Sequence, residues 1–171
     1  MILLVVDMQP RFSSSTRDWL LRNVAREIRA AKFADWGIMF LEYTRNVAHG
    51  GVTLSERTHG CLTKLVASHD CAITVHKEQD DGSAAVLHAA EHWYHGVGVE
   101  HIHGGIRVVG VNMESCIART VNGLSKARPD IEITVVGDAC NGELGGGKAP
   151  SNAGQDKIMT DGRNVRVLKV A

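Results

Sequence analysis

The chain lacks an excess of either charge. Its 19 Lys and Arg residues balance its 19 Asp and Glu residues, and the basic residues are scattered along the sequence. Proteins that bind nucleic acid or an anionic membrane surface usually carry a basic patch. We therefore expect neither nucleic acid nor a membrane as a partner.

Neither a disulfide framework nor a leader segment is expected from the sequence. The four cysteines include no Cys-x-x-Cys pair, so reduced thiols are expected rather than a disulfide framework or a zinc knuckle. They are Cys61, Cys71, Cys116 and Cys140. The first apolar run, Ile2 to Val6, has no basic residue before it and is too short for a signal peptide or a membrane span. These features predict a cytoplasmic protein.

Nucleotide-binding motifs are incomplete. No Gly-x-Gly-x-x-Gly follows the first apolar run. The stretch from Gly142 to Lys148 has the spacing of a phosphate-binding loop, but Ala149 replaces the required Ser or Thr and Pro150 follows. We predict a flexible loop here, with the role of Gly142 to Gly147 left open, and no cofactor.

Length and hydrophobic pattern predict one α/β domain over residues 1–171. A chain of 171 residues with 44% hydrophobic content suits a single core. Apolar runs predict six strands, and helical spacing predicts helices between them. The strands are Ile2–Val6, Gly37–Tyr43, Cys71–His76, Ile106–Val111, Ile131–Val136 and Val165–Val170. The first helix follows N-cap candidates at Ser13 to Thr16, has Asp18 in its first turn and ends near Lys32. The other helices are Leu54–Ser68, Ser83–Trp93, Ser115–Lys126 and a short one at Asp156–Thr160, with loops at Gly96–Gly105 and Gly137–Asn152. Such alternation predicts three α/β/α layers around a mostly parallel six-stranded sheet.

Three reactive side chains follow separate predicted strands. Asp7 ends the first strand, Lys77 follows the third, and Cys116 stands where the fourth gives way to a helix. Singly they read as a strand terminator, a solvated lysine and a buried thiol. Together they predict one site, because the carboxyl ends of parallel strands open onto one crevice. A helix N-terminus favours a thiolate, so we expect iodoacetamide to label Cys116 first at neutral pH.

Three segments resemble the isochorismatase-like cysteine hydrolases, the family that includes nicotinamidases and related amidases. They are LLVVDMQPRF, VHKEQDDGSAA and GVNMESCIART, and VVGDAC is similar too. The resemblance runs from Ile2 to about Ala139. It implies a Rossmann-like isochorismatase-type hydrolase fold and a homo-oligomer, either a dimer or a tetramer.

The resemblance also implies a catalytic triad. Asp7 would act as general base and then general acid, Lys77 would stabilise the thiolate and keep Asp7 ionised, and Cys116 would attack an amide carbonyl. Backbone N–H groups of Asn112 and Cys116 would stabilise the oxyanion, following a cis peptide bond between Val111 and Asn112.

The chain departs from nicotinamidases at the second predicted strand. Nicotinamidases carry a metal-binding Asp-x-His after this strand, whereas here the strand runs into Glu42, Tyr43, Thr44 and Arg45, with His49 as the nearest imidazole, so no metal is predicted. Sites near His49 or near the pair His101 and His103 remain open, although surface histidines are the simpler interpretation of this His-rich sequence.

Residues that follow the first two predicted strands are expected to contact the substrate. We predict Phe12, Tyr43 and Arg45 as substrate-binding residues, although the two aromatic side chains are also candidates for the core. Ala85 stands where the family usually carries Phe, which would reshape the pocket.

The leading hypothesis is therefore a cofactor-independent cysteine hydrolase that cleaves a small amide or related C–N bond. The alternative is a catalytically silent family member that acts as a binding or scaffold protein. A phosphate-accepting domain built on Asp7 would need a second acid beside it, and Asp-Met-Gln-Pro supplies none. The substrate itself is not predicted.

Overall fold

A computed structural model describes residues 1–44, 57–93, 97–142, 149–150, 152, 154–161 and 163–169, with no side-chain description at 97–99. Six strands form one sheet in the order β3-β2-β1-β4-β5-β6, and every neighbouring pair is parallel. The strands are β1 (Ile2–Val6), β2 (Gly37–Tyr43), β3 (Ala72–Lys77), β4 (Ile106–Val111), β5 (Ile133–Asn141) and β6 (Val165–Leu168).

Helices cover both faces of the sheet. They are α1 (Asp18–Phe33), α2 (Gly60–Thr63), α3 (Ser83–His92), α4 (Val97–His103) and α5 (Ala118–Ala127). Buried side chains of α1 and α2 pack on one face, and those of α3, α4 and α5 pack on the other. The predicted three-layer α/β/α fold is confirmed, with a sheet that is parallel throughout the described residues. No helix among those residues is both long and apolar enough to cross a membrane.

Strand β1 lies at the centre of the sheet, between β2 and β4. Its five residues are all buried, with Leu4 packing toward α3 and α5 and Leu3 toward α1. A continuous β-branched and apolar run is typical of such a doubly covered strand. Because β1 is central, the residue that follows it, Asp7, lies at the middle of the carboxyl edge.

Two predicted loops are wrong in part. Residues 97–103 form helix α4, although the glycine-rich sequence disfavours a helix. Burial of Ile102 against the sheet stabilises this helix. Strand β5 continues to Asn141 instead of ending at Val136. A register shift between Val108 and Gly110 lets β4 keep pairing with it. Residues 143–148 lie outside the described residues.

Smaller differences concern element ends. The predicted helix Leu54–Ser68 is represented, within the described residues, by α2 and a 3₁₀ turn at Lys64–Val66. The predicted helix Asp156–Thr160 is a 3₁₀ turn at Gln155–Lys157. Helix α1 has Asp18 in its first turn as predicted, but its N-cap is Arg17, because the predicted cap residues Ser13–Thr16 form a 3₁₀ turn of their own.

Candidate active site

Asp7 and Lys77 form a buried ion pair at the carboxyl edge of the sheet. Lys77 Nζ lies 3.0 Å from Asp7 Oδ2, and the two residues are 4% and 0% exposed. Lys77 is the last residue of β3 and lies in register with Tyr43 of β2. The ion pair therefore reaches across the end of β2, from the edge strand to the central one.

The backbone of Asp7 is strained. Its φ angle of 50° lies in the left-handed region, which costs a non-glycine residue about 1–3 kcal/mol. Hydrogen bonds hold it on both sides: its N–H donates to Leu41 O at 2.8 Å, and its carbonyl accepts from Gln9 N–H at 2.7 Å. Asp35 shares a positive φ but lies in an exposed turn. Strain at a buried carboxylate is a feature of functional sites.

Cys116 lies in a π-helical turn between β4 and α5. The turn spans Met113–Ile117, and Ile117 N–H donates to Asn112 O at 3.1 Å. Such turns are rare and are frequent at functional sites. The thiol is 3% exposed and lies close enough to Asp7 and Lys77 for both of their charges to shift its pKa. The fold thus brings the thiol, the carboxylate and the ammonium together.

The electrostatics of this cluster favour a neutral thiol at rest. The pKa of the Cys116 thiol is raised to about 12, chiefly by burial; the negative charge of Asp7 also raises this pKa, by more than the positive charge of Lys77 lowers it. Burial also raises the pKa of the Asp7 carboxyl, against the opposing effect of Lys77. The prediction that the helix terminus alone yields a thiolate is therefore wrong, because desolvation is the larger effect.

A fourth ionisable residue, Asp80, was not predicted. Its Oδ1 lies 3.8 Å from Cys116 Sγ, and its backbone carbonyl accepts a hydrogen bond from Lys77 Nζ at 3.0 Å. Its Oδ2 lies 3.4 Å from Arg119 Nη1, on the first turn of α5. Its position in the sequence, three residues beyond Lys77, could have indicated that it belongs to the site.

The loop that carries Asp80 is tied to α5 by Thr120. Gly82 N–H donates to Thr120 Oγ1 at 2.9 Å, and this hydroxyl donates to Asp80 O at 3.3 Å. Thr120 is the threonine of the Cys-x-x-x-Thr segment, so the structure supplies a physical role for that motif. It holds the lysine-bearing loop against the cysteine-bearing helix.

Gln9 plays a similar part for β2. Its Oε1 accepts a hydrogen bond from Tyr43 N–H at 2.8 Å, and its Nε2 donates to Tyr43 O at 3.2 Å. Gln9 is fully buried. The glutamine of Asp-x-Gln therefore completes the backbone pairing of the last β2 residue.

Two predicted substrate-binding residues lie together beside the ion pair. The rings of Phe12 and Tyr43 meet edge to face with centroids 6.2 Å apart, and Lys77 Nζ lies 5.6 Å from the Tyr43 ring. The exposed guanidinium of Arg11, which was not predicted, lies 5.4 Å from the Phe12 ring. Arg45 lies outside the described residues.

Asn112, a predicted oxyanion donor, precedes the π turn and is 4% exposed. Ser14 Oγ donates to its Oδ1 at 2.8 Å, and Asn141 Nδ2 donates to Ser14 O at 2.9 Å. The predicted cis bond between Val111 and Asn112 is wrong: that bond is trans, as are all peptide bonds between described residues. The trans form avoids a cost of about 3 kcal/mol.

A nicotinamidase-type metal site does not fit the described residues at the end of β2. The buried carboxylate of Glu42 accepts a hydrogen bond from Thr58 N–H at 2.7 Å and lies 3.4 Å from His76 Nε2. His49 lies outside the described residues. His101 packs 6.2 Å from the Trp93 ring, and within the described parts of the chain neither it nor His103 joins a cluster of metal-ligating groups.

No protein-family profile matches this chain, and no curated protein matches it. Solved structures do. A nicotinamidase of Staphylococcus aureus is 18% identical over 82% of each chain, with a TM-score of 0.65. An isochorismatase-family hydrolase of Chromobacterium violaceum is 13% identical over 98% of this chain and 88% of its own, with a TM-score of 0.68.

A third similar structure, the N-carbamoylsarcosine amidase of Thermoplasma acidophilum, is 12% identical over 82% of this chain and 83% of its own, with a TM-score of 0.57. At such identities the comparisons establish a shared fold. The chain has the isochorismatase-type hydrolase fold, so the resemblance seen in the sequence is confirmed at the level of the fold.

Proposed function

We propose that this protein is an isochorismatase-like cysteine hydrolase that cleaves a small amide or related C–N bond. The proposal rests on one observation: the Cys116 thiol lies close enough to the buried ion pair of Asp7 and Lys77, whose charged atoms are 3.0 Å apart, for both charges to shift its pKa. The fold shared with a nicotinamidase and with an N-carbamoylsarcosine amidase supports the same reaction class.

The first half of the reaction forms a thioester. As the sulfur bonds to the amide carbonyl carbon, the thiol proton passes to Asp7, and the carbonyl oxygen becomes an oxyanion. The C–N bond then breaks, and Asp7 returns the proton to the departing nitrogen, which leaves as an amine or ammonia. A thiol pKa of about 12 makes this coupled proton transfer necessary, because free thiolate is scarce at neutral pH.

The second half hydrolyses the thioester. Asp7 takes a proton from the attacking water, the carboxylic acid is released, and the proton returns to the sulfur of Cys116. Lys77 keeps one positive charge beside Asp7 throughout, which offsets the cost of its burial. Backbone N–H groups of Asn112 and Cys116 are the proposed oxyanion donors.

Substrate contacts are proposed for Tyr43, whose half-buried ring lies beside Lys77, for Phe12, whose half-buried ring contacts that of Tyr43, and for Arg45. We also propose a single domain that forms a homo-oligomer, either a dimer or a tetramer, and that needs no cofactor. Light scattering of the purified protein would give the number of subunits.

One observation favours the alternative of a catalytically silent binding protein. Cys116 is 3% exposed, and its thiol is neutral at rest. A binding protein would bind small amides without releasing an amine. The two functions therefore differ in one measurable outcome, which is whether ammonia or an amine is released.

The test is release of ammonia or amine from a panel of small primary amides and ureido compounds. Wild-type protein should release it from at least one member, while Cys116→Ala and Asp7→Asn should lower the rate by at least about 1,000-fold. Cys61→Ala, which removes an exposed thiol, should retain the full rate. Binding of a panel member without any release would support the silent alternative.

A further inference from the structure

Helix α3 carries three potential metal ligands on its exposed face. His88, Glu91 and His92 are spaced i, i+3 and i+4, which places them on one side of a helix. One ligand atom from each residue lies within 4.8 Å of the others, and all three side chains are exposed. The catalytic proposal uses none of them.

The hydrogen bonding of His92 prepares it for a metal. Its Nδ1 lies 2.8 Å from the backbone carbonyl of His88. A carbonyl can only accept a hydrogen bond, so Nδ1 carries the proton and the lone pair remains on Nε2. Metal-binding histidines usually have their second nitrogen fixed in this way. The two rings are also close, with centroids 4.2 Å apart.

The position on the helix is favourable as well. Helix α3 ends at His92, and its last turn presents the negative end of the helix dipole, which attracts cations. His88 and His92 line a groove of about 490 Å³ between α3 and β3, with Val75 and Trp93 among its apolar walls.

We propose that His88, Glu91 and His92 form a binding site for a first-row divalent cation of the Zn²⁺ type. Two imidazoles and one carboxylate suit Zn²⁺, Co²⁺ or Ni²⁺, whereas Mg²⁺ prefers oxygen ligands only. Three protein ligands leave at least one position for water or a small ligand. Among the described residues this cluster, and not the pair His101 and His103, brings metal-ligating groups together, while the alternative at His49 lies outside the described residues.

The proposal is tested by calorimetric titration of the full chain with Zn²⁺. We expect one high-affinity site per chain, no competition by excess Mg²⁺, and affinity lower by at least about tenfold in His92→Ala and in Glu91→Gln. His88→Ala/His92→Ala should abolish binding. His103→Ala removes another exposed histidine from a last helical turn and should bind as the wild type does.

Absorption of the Co²⁺ complex separates this site from the thiols. Coordination by nitrogen and oxygen gives weak visible bands, whereas a cysteine ligand adds an intense sulfur-to-cobalt band in the near ultraviolet. The weak bands alone, lost in His88→Ala/His92→Ala, are expected. A sulfur band, unchanged Zn²⁺ affinity in that double variant, or no binding to the wild type would overturn the proposal. None of these readouts depends on amide hydrolysis.

Discussion

Lys77 Nζ lies 3.0 Å from Asp7 Oδ2, and both side chains are almost completely removed from solvent. Burial of either charge without its partner would destabilise the fold, so each charge is tolerated in the interior only while the other is present. The Cys116 thiol lies within electrostatic reach of this pair, since both charges shift its pKa.

Lys77→Met should destabilise the fold by about 3–5 kcal/mol at neutral pH, because it leaves Asp7 charged and unpaired. Urea unfolding measures this free energy. The pKa of Asp7 is already raised by burial and Lys77 lowers it, so removing Lys77 raises it further. The folded state of Lys77→Met then binds a proton more readily than the unfolded chain, and the deficit should shrink as the pH falls.

Asp7→Asn/Lys77→Met provides the control for that prediction. Without the Asp7 charge, loss of the ammonium should cost much less, and the double variant should be more stable than Lys77→Met alone. A double variant as unstable as Lys77→Met would show that Lys77 stabilises through packing instead of charge.

Titration of Cys116 should show a strongly raised pKa. Ultraviolet absorbance of the thiolate, taken as the difference between wild type and Cys116→Ser, should rise near pH 12 and not near the ordinary thiol value of about 8.5. Asp7→Asn should lower the pKa, since the Asp7 charge helps to raise it. A wild-type transition near 8.5 would contradict the resting thiol described here. Iodoacetamide at neutral pH should accordingly label the exposed Cys61 before Cys116.

Gly82→Ala should impair catalysis because it displaces the side chain of Lys77. A Cβ at this position would lie 2.9 Å from Lys77 Cδ and 2.5 Å from Leu41 Cδ2, so the lysine stem must move. We expect destabilisation of about 1–3 kcal/mol and a kcat lower by about tenfold or more, as reacting groups are misplaced by a few tenths of an ångström.

Gly60→Ala is the matched control. A Cβ there meets no atom within 4 Å, so stability and kcat should stay near wild type. Equal effects of the two substitutions would show that the close approach at Gly82 does not position Lys77.

Gln9→Ala should loosen the end of β2. The substitution leaves the Tyr43 N–H and C=O without the side-chain partners at 2.8 and 3.2 Å, which costs about 1–3 kcal/mol for an unpaired buried group. Because Tyr43 lies beside Lys77, KM for an active amide should rise more than kcat falls. Steady-state kinetics with urea unfolding separates the two effects; an unchanged KM would count against Tyr43 as a substrate contact.

Much of this fold was predictable because β1 is a continuous apolar run, β2 and β4 are mostly apolar, and polar residues follow at their ends. The local sequence pattern alone therefore locates Asp7 after β1 and the turn that contains Cys116 after β4. Helix α4 was missed because the burial of Ile102, and not local propensity, stabilises it. The extension of β5 was missed because it depends on a register shift against Gly110.

The candidate site was predictable in membership but not in electrostatics. Three strand ends indicated Asp7, Lys77 and Cys116, since topology alone brings such positions together. The protonation state of the thiol depends on how much water the fold excludes, which the linear sequence does not encode locally. The position of Asp80 could not be predicted for a similar reason. It lies near Cys116 because the hydroxyl of Thr120 holds its loop against α5.

The most direct test of the central claim is to trap the thioester. Wild-type protein is mixed with the most active amide of the panel, quenched in acid within the first turnover, digested and examined by mass spectrometry. The account predicts an acyl group on Cys116, absent from Asp7→Asn and unaffected by Cys61→Ala. An amide that is hydrolysed with no acyl group on Cys116, or with equal turnover by Cys116→Ala, would contradict it.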